Sequence, residues 1–368
     1  MATVDARPAL ARLRDRPGLA LAVAVALLLA GDVALRLLGG GLPVHQLAVY
    51  LWDGVVVGLI VGLAGIGLSM TYSILGFANF AHGDYVTTGA FVGWGATYAV
   101  AGYGTAEIGR LLLVGPAQQV FGSDLGISAL GTPLAVVAGL LVAALGTALV
   151  VLAIDRLVYR PMRDEGSIAL LIASVGVSFV VRYLIAFVYG SGSRGTTVIP
   201  PTWRVDVVDG AVTVSLHEVV LVAVALALMV AVHAVMTRTT LGTAMRAMAD
   251  NEDLALVTGI PTERVVRWTW LMGGGLAGAA GFLVVLERGN IGFQMGWLLV
   301  LLIFAAVILG GIGSIYGAIA GGLIVGIAQN LSLIWLPSGD FTRQTAFVLM
   351  ILILVYRPEG IFGGTSTA

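Results

Sequence analysis

Residues 54–75 read GVVVGLIVGLAGIGLSMTYSIL, and GFANFAHGD follows at once at 76–84. The first stretch carries no charged side chain and matches the roughly 20 apolar residues that a helix needs to cross a bilayer. The second is a glycine-flanked polar cluster, and a further apolar run begins at 85. Span, short polar break and span again describe a polytopic membrane protein. The rest of the chain agrees. Of 368 residues, 59% are hydrophobic and 11% charged, where soluble domains carry about 25% charged residues. One soluble interior of this size cannot hide that much apolar surface. An ordinary cytosolic enzyme and a disordered chain are thereby excluded, and a net charge of −1 offers no basic field to a nucleic acid.

Scanning outward on the same criterion gives ten candidate spans: 18–38, 54–75, 85–102, 133–153, 168–188, 216–236, 268–286, 296–310, 317–336 and 344–356. The expected fold is an all-α integral membrane bundle of about 10 transmembrane helices. Eight is the lower bound, because the last three segments are short or closely spaced. Arg7, Arg12, Arg14 and Arg16 precede the first span, and arginine-rich loops stay in the cytoplasm. Alternate counting then places twelve arginines inside and five outside, with Arg36 and Arg182 within spans. Both termini are expected in the cytoplasm. The four arginines and the apolar run 19–30 also look like a signal peptide; a retained anchor is the preferred reading. No linker divides the chain. A tail at 1–17 leads into one integral membrane domain at 18–358, with an inner loop at 237–267 and an outer loop at 189–215, and residues 359–368 form an inner tail.

Absences narrow the chemistry. There is no cysteine, and all 19 basic residues are arginine. Without a lysine the chain has neither the P-loop residue that reaches nucleotide phosphates nor a Schiff-base amine. The four histidines, His45, His82, His217 and His233, are not spaced as metal ligands. Glycine is in excess, 51 of 368 residues, and small residues let membrane helices approach closely.

Three segments carry the polar chemistry. In the break at 76–84, Asn79, Phe80, His82, Gly83 and Asp84 lie between flanking glycines. Freed backbone groups are tolerated at membrane depth only against protein or a watery cavity. The break is therefore either a bend lining a substrate path or a tight inner turn with a helix cap. The second segment, 309–317, contains Gly310, Gly311, Gly313 and Ser314, and leads into Gly317, Gly321, Gly322 and Gly326. That ladder is read as helix packing. The spacing from Gly76 to Gly83 recurs from Gly310 to Gly317, each after an Ile-Leu pair, an echo of the repeats from which transporters are built. The third segment is the inner loop. Asp250 or Asn251 can cap a short helix that Gly259 and Pro261 stop, with Leu254, Ala255, Val257 and Thr258 as an apolar edge. A helix that short must dock on something. At 205–214, alternating valines around Asp209 and Gly210 read as a small outer hairpin serving as a loop cap.

Taken in order, Asn79-Phe80-Ala81-His82-Gly83, Arg160-Pro161-Met162, the segment 242–261 and Leu309-Gly310-Gly311-Ile312-Gly313-Ser314 resemble the permease subunits of branched-chain amino-acid ABC importers. The likeness runs from Leu51 to Gly363 and includes the tail Arg357-Pro358-Glu359-Gly360-Ile361. The resemblance implies a non-enzymatic translocation subunit in the cytoplasmic membrane of a prokaryote. Its implied partners are a second related permease (hetero- or homodimer), two cytoplasmic ABC ATPases that hold the ATP and Mg, and an extracytoplasmic substrate-binding protein. This chain itself would bind no cofactor or metal. The resemblance assigns Ala249, Asp250, Leu254, Ala255, Gly259 and Ile260 to ATPase coupling. Asn79, Phe80, His82, Gly83, Gly310, Gly311, Gly313 and Ser314 become translocation-path candidates.

Urea and short-amide importers have similar permeases and stand as an alternative. An ion-coupled carrier is a third reading, and it needs an intramembrane carboxylate; Asp32 lies in a span and Asp84 at a boundary. Arg182 is expected to snorkel or pair, and His233 to be structural.

Overall fold

In the computed structural model, residues 17–115, 120–357 and 359–362 are described. Each of the ten expected spans is a helix: α1 Pro17–Leu38, α2 Val44–Leu75, α3 His82–Ala101, α4 Pro133–Ile154, α5 Ser167–Tyr189, α6 Leu216–Arg238, α9 Thr262–Arg288, α10 Met295–Gly310, α11 Ile315–Ser332 and α12 Thr342–Tyr356. Two helices of the inner loop, α7 Thr240–Asp250 and α8 Glu252–Val257, lie between α6 and α9, and a single turn of helix at Ile108–Leu111 follows α3. Among the described residues, seven helices are long and apolar enough to cross a membrane by themselves. Of the rest, α10 has only 16 residues. Polar residues run through α3, and fifteen of its 20 residues are buried. Its neighbours are other helices, so it needs no apolar exterior.

Glycine sets the packing. Gly54, Gly58 and Gly62 of α2 face α11 so closely that an added Cβ would lie 2.7, 2.8 and 3.4 Å from the Cα atoms of Ile327, Leu323 and Ile319. From the other side, a Cβ on Gly322 would lie 2.5 Å from the Gly62 Cα. Gly317 and Gly321 turn the opposite way, against Gly310 and Ala306 of α10. The ladder read as helix packing therefore serves two interfaces at once. The interior of the bundle, where α3, α4 and α9 cross, is built in the same manner from Gly89, Gly93, Gly139 and Gly278.

The echo between the two breaks has a single counterpart in the packing. The offset from Gly76 to Gly310 is 234 residues. Applied to the α2–α11 contact Gly62·Ile319, that offset predicts an α10–α3 contact between Gly296 and Tyr85. Gly296 does pack on Gly83 and Thr87, on either side of Tyr85. The match is limited to that position: Gly58·Leu323 would predict Gly292 against Gly89, but Gly292 lies against Ser193 and Gly89 against Gly278.

On the face away from the arginine-rich loops, β2 Thr202–Val207 and β3 Gly210–Ser215 form the expected hairpin. Its turn residue Asp209 accepts hydrogen bonds from the backbone N–H groups of Val44 and His45 (2.8 Å to the latter) and so caps α2. This cap explains why α2 starts ten residues before the expected position. Polar residues in the extra turns find partners: the Trp52 indole donates to Glu218 at 2.9 Å. Two short strands, β1 Arg194–Gly195 and β4 Asn290–Ile291, pair beside the hairpin. The Tyr98 hydroxyl fastens the end of α3 to β1 and its neighbour, donating to the Gly195 and Thr196 carbonyls. Helix α1 is tied to the segment after α11 through Asp32, which accepts from Arg36 at 2.7 Å and from the Trp335 indole at 2.8 Å.

Candidate functional site

After Gly76 the chain does not turn tightly at the end of α2 but climbs back into the bundle. Phe80 N–H donates to the Ser174 hydroxyl at 3.0 Å, and the His82 imidazole lies 2.9 Å from the Ala64 carbonyl. Ala64 stands eleven residues before the end of α2, about 16 Å at 1.5 Å per residue. Helix α3 therefore begins in the interior of the bundle. Asn79 organises the break. Its Oδ1 accepts from Ala81 N–H at 3.0 Å and from the Tyr159 hydroxyl at 3.3 Å, and Tyr159 is linked at 3.0 Å to Tyr85. Among the described residues the Asn79 Nδ2 is buried without a partner, as is the indole nitrogen of Trp270, whose ring stacks on Tyr159.

Helix α10 starts at the same depth. The Gly296 N–H donates to the Thr87 hydroxyl at 3.0 Å, and the rings of Phe80 and Phe304 lie 4.9 Å apart. Gly83 is the point of closest approach, where a Cβ would lie 2.7 Å from that of Val300. Helices α3 and α10 thus pass each other antiparallel, with Phe80, Gly83 and Thr87 meeting Phe304, Val300 and Gly296 in turn. Arg182 of α5 joins them. Its guanidinium donates to both Asp84 oxygens (3.0 and 2.9 Å) and to the Ser178 hydroxyl (2.8 Å), while Ser178 donates to Asp84. Its Cζ lies 4.2 Å from the Trp297 ring centre, on the first turn of α10. The Asp84 side chain is 0% exposed and that of Arg182 7%. Arg182 therefore pairs rather than snorkels, and Asp84 lies in the interior rather than at a boundary. These two partners are 98 residues apart, so no local spacing announces them.

The second break holds a different place. Ser314 caps α11 by accepting from Gly317 N–H at 2.9 Å. Gly313, at φ +89°, donates to Ser69 at 3.1 Å and accepts from Ser73 at 3.3 Å; that positive φ suits glycine. The tail closes over the end of α10, with the N–H groups of Ile361 and Phe362 donating to the Leu309 and Gly310 carbonyls at 2.9 Å. Gly311 sits under Gly360 of that tail. Gly310, Gly311, Gly313 and Ser314 thus cluster around the final turns of α2, while Asn79, Phe80, His82 and Gly83 gather around the starts of α3 and α10.

In the inner loop, Asn251 caps α8 by accepting from Leu254 N–H at 2.8 Å. Gly259, at φ +86°, ends it, and Ile260 N–H returns to the Ala255 carbonyl at 3.0 Å. Ala255 is turned inward and buried. Leu254, Leu256 and Val257 project, exposed by 60, 60 and 84%. The apolar edge is therefore Leu254, Leu256 and Val257, with Leu256 overlooked in the sequence reading. Ala249 and Ile260 are half-buried, and Asp250 lies at the surface. The preceding α7 was not foreseen. Thr239 caps it, Met245 and Met248 pack inward, and Arg246 reaches the Met236 carbonyl at the end of α6.

Comparison with known proteins adds the family. A family model described as the permease component of the branched-chain amino acid transport system matches residues 50–355. The high-affinity branched-chain amino acid transport system permease protein LivH of Escherichia coli is 30% identical over 318 residues, covering 85% of this chain and 94% of that protein. BraD of Pseudomonas aeruginosa, described in the same words, is 28% identical over 315 residues (84% and 94%). A probable branched-chain amino acid transport permease, LivH of Methanocaldococcus jannaschii, is 27% identical over 311 residues (82% and 88%).

Proposed function

The chain belongs to the family of branched-chain amino acid transport permease components, and on that premise we propose that it forms half of a translocation path for branched-chain amino acids. The other half is a related permease. An extracytoplasmic binding protein delivers the substrate, and two cytoplasmic ATPases carry the ATP and Mg, so this chain holds no cofactor. The arginine-rich face, with both termini, lies in the cytoplasm, by the rule that positive loops stay inside. The urea and short-amide reading is not favoured, since the relatives above are named for branched-chain amino acids.

The observation that carries the coupling assignment is the edge of Leu254, Leu256 and Val257, three exposed apolar side chains on a capped helix. A docked ATPase would cover it. Helix α8 leads through Gly259 and Pro261 directly into α9. Along α9, Gly273 lies against Gly67 of α2, where a Cβ on Gly67 would also meet the His82 ring at 3.1 Å. Movement of α8 with ATPase closure would therefore reach the break at Asn79–His82. Only a contact that differs between the two states can shift the equilibrium between them. The test is Leu254→Glu with Val257→Glu in the assembled transporter. Both side chains are exposed, so the fold should persist while ATPase subunits no longer co-purify and ATP-driven uptake falls at least tenfold. Intact co-purification and uptake would refute the assignment.

A further inference from the structure

The arginine-rich face carries a second charged centre, where α4 unwinds into a π turn at Asp155–Tyr159 and α9 begins. Arg163 holds both acids there: its Nη2 bonds the two Asp155 oxygens at 2.8 and 2.9 Å, and its Nη1 bonds Glu263 at 2.7 Å. Arg160 approaches Glu263 from the other side at 3.4 Å. Arg156 and Arg267 open onto the same cleft of about 400 Å³, which Leu152 closes. Among the described residues neither has an acidic partner, and Arg267 bonds only the Glu263 carbonyl. Four arginines, 156, 160, 163 and 267, stand against two carboxylates, 155 and 263, a local surplus of two positive charges.

The flank of the cleft is apolar and runs along α4. Leu141, Leu145 and Leu149 are exposed by 57, 64 and 65%, and Leu152 and Arg156 continue at three- and four-residue steps on the same stripe. Trp268, 43% exposed, stands next to Arg267, where aromatic side chains mark the membrane–water boundary. An apolar stripe that ends at its boundary in two uncompensated guanidinium groups matches one ligand shape: an acyl chain with an anionic phosphodiester at its head. We propose that this cleft is a binding site for an anionic phospholipid of the arginine-rich leaflet, with its phosphate between Arg156 and Arg267 and an acyl chain along Leu149, Leu145 and Leu141. The bound lipid would brace the π turn that carries Tyr159, and through it Asn79.

The shared chemistry is a phosphate, and a free anion could supply it as well as a lipid, so the test separates the two. The full chain in its transporter assembly is titrated in detergent with phosphatidylglycerol, phosphatidylcholine or inorganic phosphate, and bound molecules are counted by native mass spectrometry. Phosphatidylglycerol should be retained at concentrations at least fivefold below phosphatidylcholine, and millimolar phosphate should not displace it. Arg156→Gln with Arg267→Gln should abolish that preference, the two Arg→Lys changes should keep it, and Arg238→Gln, on the same face outside the cleft, should leave it unchanged. The lipid site is overturned if inorganic phosphate displaces the lipid, if the double glutamine variant retains the preference, or if Arg238→Gln removes it equally. Thermal melting of each variant separates loss of binding from loss of fold.

Discussion

Between Asp84 and Arg182 two charges satisfy each other and Ser178 in a part of the bundle that excludes solvent. Removing one partner of a buried pair strands the other and costs about 3–5 kcal/mol, whereas replacing both with apolar groups is often neutral. Asp84→Asn and Arg182→Met should each lower the unfolding midpoint in detergent, and the combined Asp84→Leu/Arg182→Met chain should recover most of the loss. Uptake separates architecture from transport: if the pair serves the path, the recovered double variant stays inactive, and full uptake would make the pair purely structural. Asp209 makes the second test at this scale. Backbone hydrogen bonds from the α2 terminus hold its carboxyl below the ordinary 3.8. A lowered folded value means that the cap's contribution is present above 3.8 and is lost as pH falls through the folded value. The protection factors of the Val44 and His45 amides, their exchange relative to the intrinsic rate at each pH, should therefore fall as pH drops from 3.8 through the folded value, and protection that ignores pH there would contradict the cap.

Helices meet through glycine, so the cost of a side chain depends on which face receives it. A Cβ on Gly322 would sit 2.5 Å from the Gly62 Cα, whereas one on Gly176 of α5 meets nothing within 4 Å. Gly322→Val should cost at least the roughly 1–3 kcal/mol of an overpacked core, and Gly176→Val should leave the melting temperature nearly unchanged; equal effects would mean that the interface is looser than described. The same elements show what a linear reading can reach. Apolar length located ten helices, seven of them long and apolar enough to cross a membrane, and glycine spacing found the α11 ladder, because both are local properties. The Asn251 cap and the Gly259 stop were legible for the same reason. The depth at which α3 starts was not, since it depends on Ala64 and Ser174 accepting bonds from across the bundle. The orientation of Ala255, the helix α7 and the role of Leu256 were also set by packing rather than by pattern.

Across the whole molecule, the helix pairs α2–α11 and α3–α10 flank a break whose polar groups meet α5 and α10, and one short helix projects from the arginine-rich face. On the proposed reading this body supplies a path and a handle, and the force comes from neighbouring ATPases. The most direct measurement is uptake of labelled leucine into proteoliposomes with ATP enclosed. The complete set of this chain, a related permease, the ATPases and the binding protein should concentrate leucine, and omission of the ATPases should abolish that accumulation. Leucine concentrated by this chain alone, under an imposed proton or sodium gradient, would contradict the account.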